Sequence, residues 1–252
     1  MSEVMLETKN VSMVFPDGTE ALKNINIKIH RGELVSIIGP SGAGKSTFMR
    51  SLNLLNVPTS GEIVFEGENV TKAKGKQLRH IRRRIGMIFQ HFNLIKRSPT
   101  YQNVLHGRLG YMPSLKGGFG RFSEEDTEEA LAILERVGLG QQAFKRADEL
   151  SGGQQQRVGI ARAIAQSPSL ILADEPIASL DPSSSENVMN YLKKVCQEDG
   201  ITSIVNLHQV DFAKQFADRI IGIKAGEVVF DGKPKELTDG IINHLYYDKI
   251  TV

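Results

Sequence analysis

LVSIIGPSGAGKS, residues 34–46, sets the reading of the whole chain. Leu34 to Ile38 is a short run of mostly apolar, β-favouring residues, the pattern of a buried strand. A glycine-rich turn follows, and from about Gly44 to Leu55 the pattern is helical. Gly39, Pro40, Ser41, Gly42, Ala43, Gly44, Lys45 and Ser46 match GxxxxGK[ST], with Thr47 next. Glycines reach backbone conformations closed to other residues, so successive N–H groups can turn inward on phosphate oxygens. Lys45 offers a point charge to the outer phosphates and Ser46 a hydroxyl to Mg²⁺. The helix start adds the positive end of its dipole. A glycine-rich turn can match by chance, but a strand before it and a helix after it favour nucleotide binding.

Working outward, strands and helices alternate. Val4 to Phe15 and Leu22 to Ile29 read as two strands with a half-buried face, and Pro16-Asp17-Gly18 as the turn between them. Glu62 to Phe65 and Arg84 to Phe89 predict further strands, with a helix over Lys74 to Arg84. From about Gln90 to Gln166 strand signals stop. This stretch reads as helical, with Gly/Pro-rich loops over Gly107 to Gly120 and a capped, acid-led helix from Ser123 to about Val137. The last third alternates again. Strands are expected at Leu170 to Ala173, Thr202 to Asn206, Arg219 to Lys224 and Glu227 to Phe230, and helices at Pro182 to Glu198 and Gln209 to Phe216. The pattern predicts an α/β core with a mainly parallel sheet, interrupted by a helical insertion.

Composition bounds the function. Across 252 residues the net charge is +2, with 40% apolar and 24% charged residues. That is a soluble globular chain, and it excludes disorder, collagen and a disulfide-rich scaffold. So small a charge argues against a nucleic-acid binder working by bulk attraction. No apolar run is long enough to cross a bilayer, and the start lacks the basic-then-apolar pattern of a signal peptide. Cys196 is alone, which fits a reducing cytosol, and its helical context predicts a small buried apolar role. Lys72, Lys74, Lys76, Arg79, Arg82, Arg83 and Arg84 form a basic run without an acid. A solvated helix face is the plain reading and attraction to anionic lipid headgroups the sharper one. Glu124 to Glu129 reads as a solvated first turn.

Two more stretches carry chemistry. Leu170 to Ala173 leads into Asp174 and Glu175. Asp174 at a strand end can hold Mg²⁺ through its water shell, and Glu175 can polarise a water that attacks a γ-phosphate. Alone, such a strand end is common; behind the glycine loop of an alternating chain, the metal reading is favoured. Leu150-Ser151-Gly152-Gly153-Gln154-Gln155-Gln156-Arg157 precedes an apolar-periodic helix, Val158 to Ala165, and so forms a second anion-ready helix start. It could equally be an ordinary capped start. Two phosphate-binding helix starts make sense if one serves the nucleotide of a second copy.

GPSGAGKS, Gln90, LSGGQQQR, LILADE, Ser179-Leu180-Asp181 and His208, in that order, resemble the ATP-binding subunits of ABC transporters over essentially the whole chain. The resemblance implies a P-loop NTPase fold of the ABC type. Its RecA-like core and antiparallel β subdomain would span about 1–90 and 167–252, and its helical subdomain about 91–166. ATP and Mg²⁺ are the implied ligands. Phe15 would stack on adenine, where Tyr is more usual. Gln90 would touch Mg²⁺ and water, and His208 the γ-phosphate. Ser151, Gly152, Gly153 and Gln154 would grip the ATP of the other copy, and Asp181, also an ordinary helix cap, would cross the dimer interface. Glu175, His208 and Gln90 are thus the catalytic candidates.

A lone nucleotide-binding domain resembles a bacterial importer subunit, at the cytoplasmic face of the inner membrane. Its partners would be a second copy and two membrane permeases, with a periplasmic or surface binding protein acting indirectly and no nucleic acid. Finer similarity is to the ATPases of phosphonate importers. It lies in Asn206-Leu207-His208-Gln209-Val210-Asp211, in Gly107-Arg108-Leu109-Gly110 with Ser114-Leu115 and Gly117-Gly118-Phe119, in Ala147-Asp148-Glu149-Leu150, and in Ala178-Ser179-Leu180-Asp181-Pro182. Phosphate, phosphite or another small anion remains an alternative cargo. An ABC ATPase without membrane partners and a small-molecule kinase are alternatives of other classes. The segment from Phe92 to Gly120, with Tyr101, Tyr111 and Phe119, is the expected docking surface, or else a surface loop without a partner. With about twenty residues after Gly232, no added regulatory domain is expected.

Overall fold

The computed structural model describes residues 3–112 and 122–247. Phe119 and the 114–118 stretch singled out above lie outside them. In chain order the elements are β1 (Val4–Val14), β2 (Glu20–His30), β3 (Leu34–Ile38), α1 (Lys45–Leu52), β4 (Ser60–Phe65), β5 (Glu68–Asn69), α2 (Gly75–Arg83) and β6 (Ile85–Ile88). Then come α3 (Thr100–Leu105), α4 (Glu124–Arg136), α5 (Gly152–Ile164), β7 (Leu170–Asp174), α6 (Pro182–Asp199), β8 (Thr202–Asn206), α7 (Val210–Phe216), β9 (Arg219–Lys224), β10 (Glu227–Gly232) and α8 (Asp239–Tyr246). Contacts group them into two compact units, Met1–Ile81 with Thr202–Val252, and Arg82–Ile201.

In the first unit β1 and β2 pair antiparallel, and β4 and β5 extend that sheet in the order β2-β1-β4-β5. Leu22, Ile25, Ile27 and Ile29 fill its buried face, as their near-alternation requires. A second set of strands runs β10-β9-β3-β8. β3 lies parallel to both neighbours, with Ile37 opposite Asn206 on one side and Ile221 on the other. All five residues of β3 and of β8 are buried; β3 is a mostly apolar run, whereas β8 buries Thr202, Ser203 and Asn206 beside Ile204 and Val205. β10 returns antiparallel along β9.

α1 is shorter than its sequence pattern suggests. It ends at Leu52, and Leu54 turns to a left-handed φ of 54°. α8 carried no sequence expectation. Thr238 caps it, its Leu245 is buried beside Gly222 of β9, and Lys224 Nζ donates to the His244 carbonyl. Lys72, Lys74, Lys76 and Arg79 are exposed while Ile81 of α2 is buried, and Lys72 pairs with Glu62 at 2.8 Å.

In the second unit β6 and β7 pair in parallel, Ile88 opposite Ala173. The helices α3, α4, α5 and α6 make up most of the rest. α4 opens with a reciprocal cap between Ser123 and Asp126. Asp126 is more than a solvated acid. The Ser123 hydroxyl and the Arg108 guanidinium at 3.1 Å hold its carboxyl below the ordinary range. The loop expected from Gly107 begins instead as a 3₁₀ helix over His106–Tyr111. Gly107 lets it approach α5, because a Cβ there would lie 2.3 Å from the Arg162 carbonyl oxygen. The Arg83 and Arg108 guanidinium groups each lie over the Tyr111 ring, 5.0 and 4.9 Å from its centroid, and its hydroxyl donates to the Gln166 carbonyl. Tyr101 is half-buried against Phe144. Cys196 is buried in α6, the bland role its pattern suggested.

Candidate functional site

In the first unit, residues 39–47 bridge the end of β3 and the start of α1. Gly39 and Gly44 are glycines by necessity. Their φ angles are +149° and +100°, and a Cβ would lie 2.0 Å from the Ile223 carbonyl oxygen and 2.3 Å from that of Ala21. Gly44 is the N-cap residue of α1 and has no side chain to satisfy the first N–H groups, and α1 has no acid in its first turn. The start of α1 is therefore an electropositive set of donors. Ser41 and Gly42 are exposed at the loop crest, Pro40, Ser46 and Thr47 are half-buried, and Ala43 is buried.

Lys45 is only 4% exposed, and its Nζ donates to the Gly39 and Pro40 carbonyls at 2.8 and 2.9 Å. The ammonium is thus held inside the loop it belongs to. Ser46 Oγ accepts from Asn206 Nδ2 at 3.3 Å. His208 is exposed two residues beyond β8. Because β3 and β8 are parallel neighbours, the loop and His208 leave the same ends of the strands, where α/β sheets bind ligands. Phe15, half-buried, sits at the end of β1, its N–H donating to the Thr19 carbonyl. The hairpin that carries it meets the loop at Ala21, beside Gly44. The sequence argument missed the Asn206–Ser46 contact; only strand register reveals it.

In the second unit, Gln90 and the Asp174–Glu175 pair likewise follow the same ends of two parallel strands, β6 and β7. Gln90 is exposed, Asp174 is 3% exposed and Glu175 half-buried. Glu175 has φ of 52°, a left-handed backbone uncommon outside glycine, and Pro176 follows it. Both carboxylates have interaction partners.

Ser151 is the N-cap of α5, which begins at Gly152 rather than Val158. Ser151 Oγ accepts from the Gln154 N–H at 3.3 Å, and Gln154 Oε1 accepts from the Ser151 N–H at 3.0 Å. With its oxygen accepting, the exposed hydroxyl keeps its proton to donate. A Cβ at Gly153 would meet Ser184 at 3.1 Å, so this start packs tightly on α6. Asp181 caps α6, accepting from Ser184 N–H at 3.0 Å, with Pro182 in the first turn. The Ser184 hydrogen bonds hold the Asp181 carboxyl below its ordinary range.

A cleft of about 480 Å³ opens beside Gln90, lined by Phe92, Leu94, Ala147 and Ser179 among others. Arg162 holds its wall, donating to the Phe92 and Asn93 carbonyls at 3.0 and 2.6 Å. Among the described residues no cluster of three or more His, Cys, Asp or Glu could hold a metal by itself.

A family model described as ABC transporter matches residues 22–178. The chain is 68% identical over 243 residues to the phosphonates import ATP-binding protein PhnC 2 of Halalkalibacterium halodurans, spanning 96% of this chain and 100% of that protein. It is 57% identical over 244 residues to the phosphonates import ATP-binding protein PhnC of Bacillus thuringiensis subsp. konkukian, spanning 97% and 95%. Among solved structures, a dimeric post-hydrolysis state of an ATP-binding cassette bound to ADP and Pi matches with a TM-score of 0.79 at 40% identity, covering 91% of this chain and 99% of that one. cbiO1 of Clostridium perfringens, part of an ABC transporter complex, matches at 0.83 with 30% identity, covering 96% and 94%.

Proposed function

The chain belongs to the ABC transporter ATP-binding family, and from that premise we propose that it is the ATP-hydrolysing subunit of a bacterial phosphonate importer. The cargo is inferred from its relatives, two of which are named for phosphonate import. Phosphonate recognition belongs to other subunits, because the site in this chain is built for a nucleotide. Among the described residues no helix is long and apolar enough to cross a membrane. Passage through the bilayer would fall to two permease subunits, with a substrate-binding protein upstream of them. The ATPase would work at the cytoplasmic face, with the cleft beside Gln90 as its docking surface.

The roles follow from chemistry. The backbone of residues 39–47 and the Lys45 ammonium bind the phosphates, and Phe15 offers a face to adenine. The Ser46 hydroxyl of the first unit is a hard oxygen of the kind Mg²⁺ takes, and by the same chemistry the buried Asp174 carboxylate and the Gln90 amide of the second unit suit it. Mg²⁺ takes few protein ligands and keeps phosphate and water. When bound, Mg²⁺ would neutralise charge on the outer phosphates. Glu175 polarises the attacking water, and His208 donates to the γ-phosphate. Ser151, Gly152, Gly153 and Gln154 meet the nucleotide of a second copy, with Asp181 at the same interface.

The observation that carries this reading is the open, glycine-built start of α1 with Lys45 folded into it. Glu175→Gln keeps the shape and removes the base, so with Mg-ATP it should form a lasting dimer by light scattering. Adding Ser151→Arg should return it to a monomer with nucleotide affinity nearly intact. A dimer that survives Ser151→Arg refutes the shared site.

A further inference from the structure

We infer that Gln156 is a positioning residue for the interface with a second copy: its amide, unsatisfied in the lone chain, gains hydrogen-bond partners when two copies close on ATP, and so seats the start of α5 against the start of α6. The inference rests on the reading of Ser151 and Asp181 as residues that meet a second copy. Three glutamines follow one another in the first turns of α5. Gln154 closes the cap with Ser151, and Gln155 Nε2 donates to the Leu150 carbonyl at 2.8 Å. Gln156 is 0% exposed, and neither its Oε1 nor its Nε2 has a hydrogen-bond partner. Among the described residues it is the one side-chain amide with both polar atoms in that state. Burying an amide without partners costs free energy, so its persistence at this place calls for a reason.

The place is the joint between two helix starts. A helix turns by about 100° per residue, so Gln156 stands one turn beyond Gly152 and Gly153 and between them in angle. Helical side chains lean toward the N-terminus, which directs the amide back over those two glycines. A Cβ on Gly152 would lie 3.2 Å from Leu180 Cδ2, and one on Gly153 would lie 3.1 Å from Ser184 Cβ. Gln156 therefore faces the segment 180–184, which carries Asp181 and opens α6. That segment spends its polar groups on itself. The Ser184 N–H goes to the Asp181 carboxyl, the Ser185 N–H to the Asp181 carbonyl and the Ser185 hydroxyl to the Leu180 carbonyl. A second copy that engages both Ser151 and Asp181 shifts one start on the other and changes which groups the amide can reach. Gln156 acts through those two residues and not on the nucleotide.

The test uses Gln156→Met, which keeps the length and removes both polar atoms, and Gln156→Leu, which repeats the change in another shape. Each is made in the full chain, alone and with Glu175→Gln. Thermal unfolding is followed without nucleotide, ATP affinity on the monomer, and dimer formation by light scattering across protein concentration in Mg-ATP. Removing an unsatisfied buried amide should raise the unfolding temperature by about 2–5 °C. Monomer ATP affinity should stay within about 2-fold. The protein concentration for half-dimerisation should rise about 10- to 100-fold, because each dimer loses two amides. A side chain with only a packing role moves stability and dimerisation in the same direction. A lower unfolding temperature in both variants therefore overturns the inference, since the amide is then already satisfied in the lone chain. An unchanged dimer midpoint overturns it as well. If Glu175→Gln alone binds ATP and forms no dimer, the shared-site reading fails and takes this inference with it.

Discussion

The starts of α1 and α5 are both glycine-rich and free of acids in the first turn, yet they are finished in opposite ways. Gly44 caps α1 with no side chain at all, and the nearby cation, Lys45, is folded back onto two carbonyls of its own loop. Ser151 and Gln154 close α5 with two reciprocal hydrogen bonds. α4 gives the ordinary case, a capped start with Glu124, Glu125 and Asp126 set against the helix dipole. The first glycine start has no capping side chain, whereas the second is capped by its own Ser151 and Gln154. That difference suits one site that holds a nucleotide in the lone chain and another that meets one only when a second copy arrives.

Replacing each part tests this contrast. Lys45→Ala should lower ATP affinity on the order of 100-fold, since it removes a charged donor from a buried position. Nucleotide titration on a variant shown folded by thermal unfolding decides it, and unchanged affinity would break the comparison at its root. Gly44→Ala adds a methyl 2.3 Å from the Ala21 carbonyl oxygen at a φ of +100°, and should cost about 2 kcal/mol in denaturant unfolding. Ser151→Ala removes a cap and should cost about 1 kcal/mol, with monomer ATP affinity unmoved. Its neighbour Gly152→Ala meets only side chains, Leu180 at 3.2 Å and Phe92 at 3.7 Å, and should cost under about 0.5 kcal/mol. If Gly152→Ala proved as costly as Gly44→Ala, the two starts would be equally constrained.

The smallest expected effect is acid sensitivity at another helix start, that of α6. The Asp181 carboxyl is held below its ordinary value, so the folded state is favoured above that value and the gain fades as pH falls through the folded one. Asp181→Asn should flatten that acid limb in a pH series of unfolding temperatures. An unchanged acid limb would mean the cap adds nothing through its charge.

The strands were the most legible part of the chain. Thr202–Asn206 and Arg219–Lys224 match their expected bounds, each built around a short apolar stretch, Ile204-Val205 and Ile220 to Ile223, that a buried parallel strand requires. Helix ends were harder. α5 starts six residues before the apolar period, although the spacing of Ser151 and Gln154 already spells a cap. α8 buries Leu245 as its only wholly enclosed residue, too little apolar periodicity to register. The loop of residues 39–47 could be read from residue types alone, since only glycine and lysine chemistry fits the motif. The Asn206–Ser46 bond could not, as it depends on which strands are neighbours.

Glu175 carries a consequence of its own. Its left-handed backbone, ahead of a proline, is a conformation that glycine would adopt with less strain. The proposed catalytic carboxylate and the most relaxed local backbone therefore call for different amino acids at one position. Selection for heat resistance alone would drift away from glutamate there, and a tougher protein obtained by that route would be a slower one. A search for stabilised variants of this chain should hold residue 175 fixed from the outset.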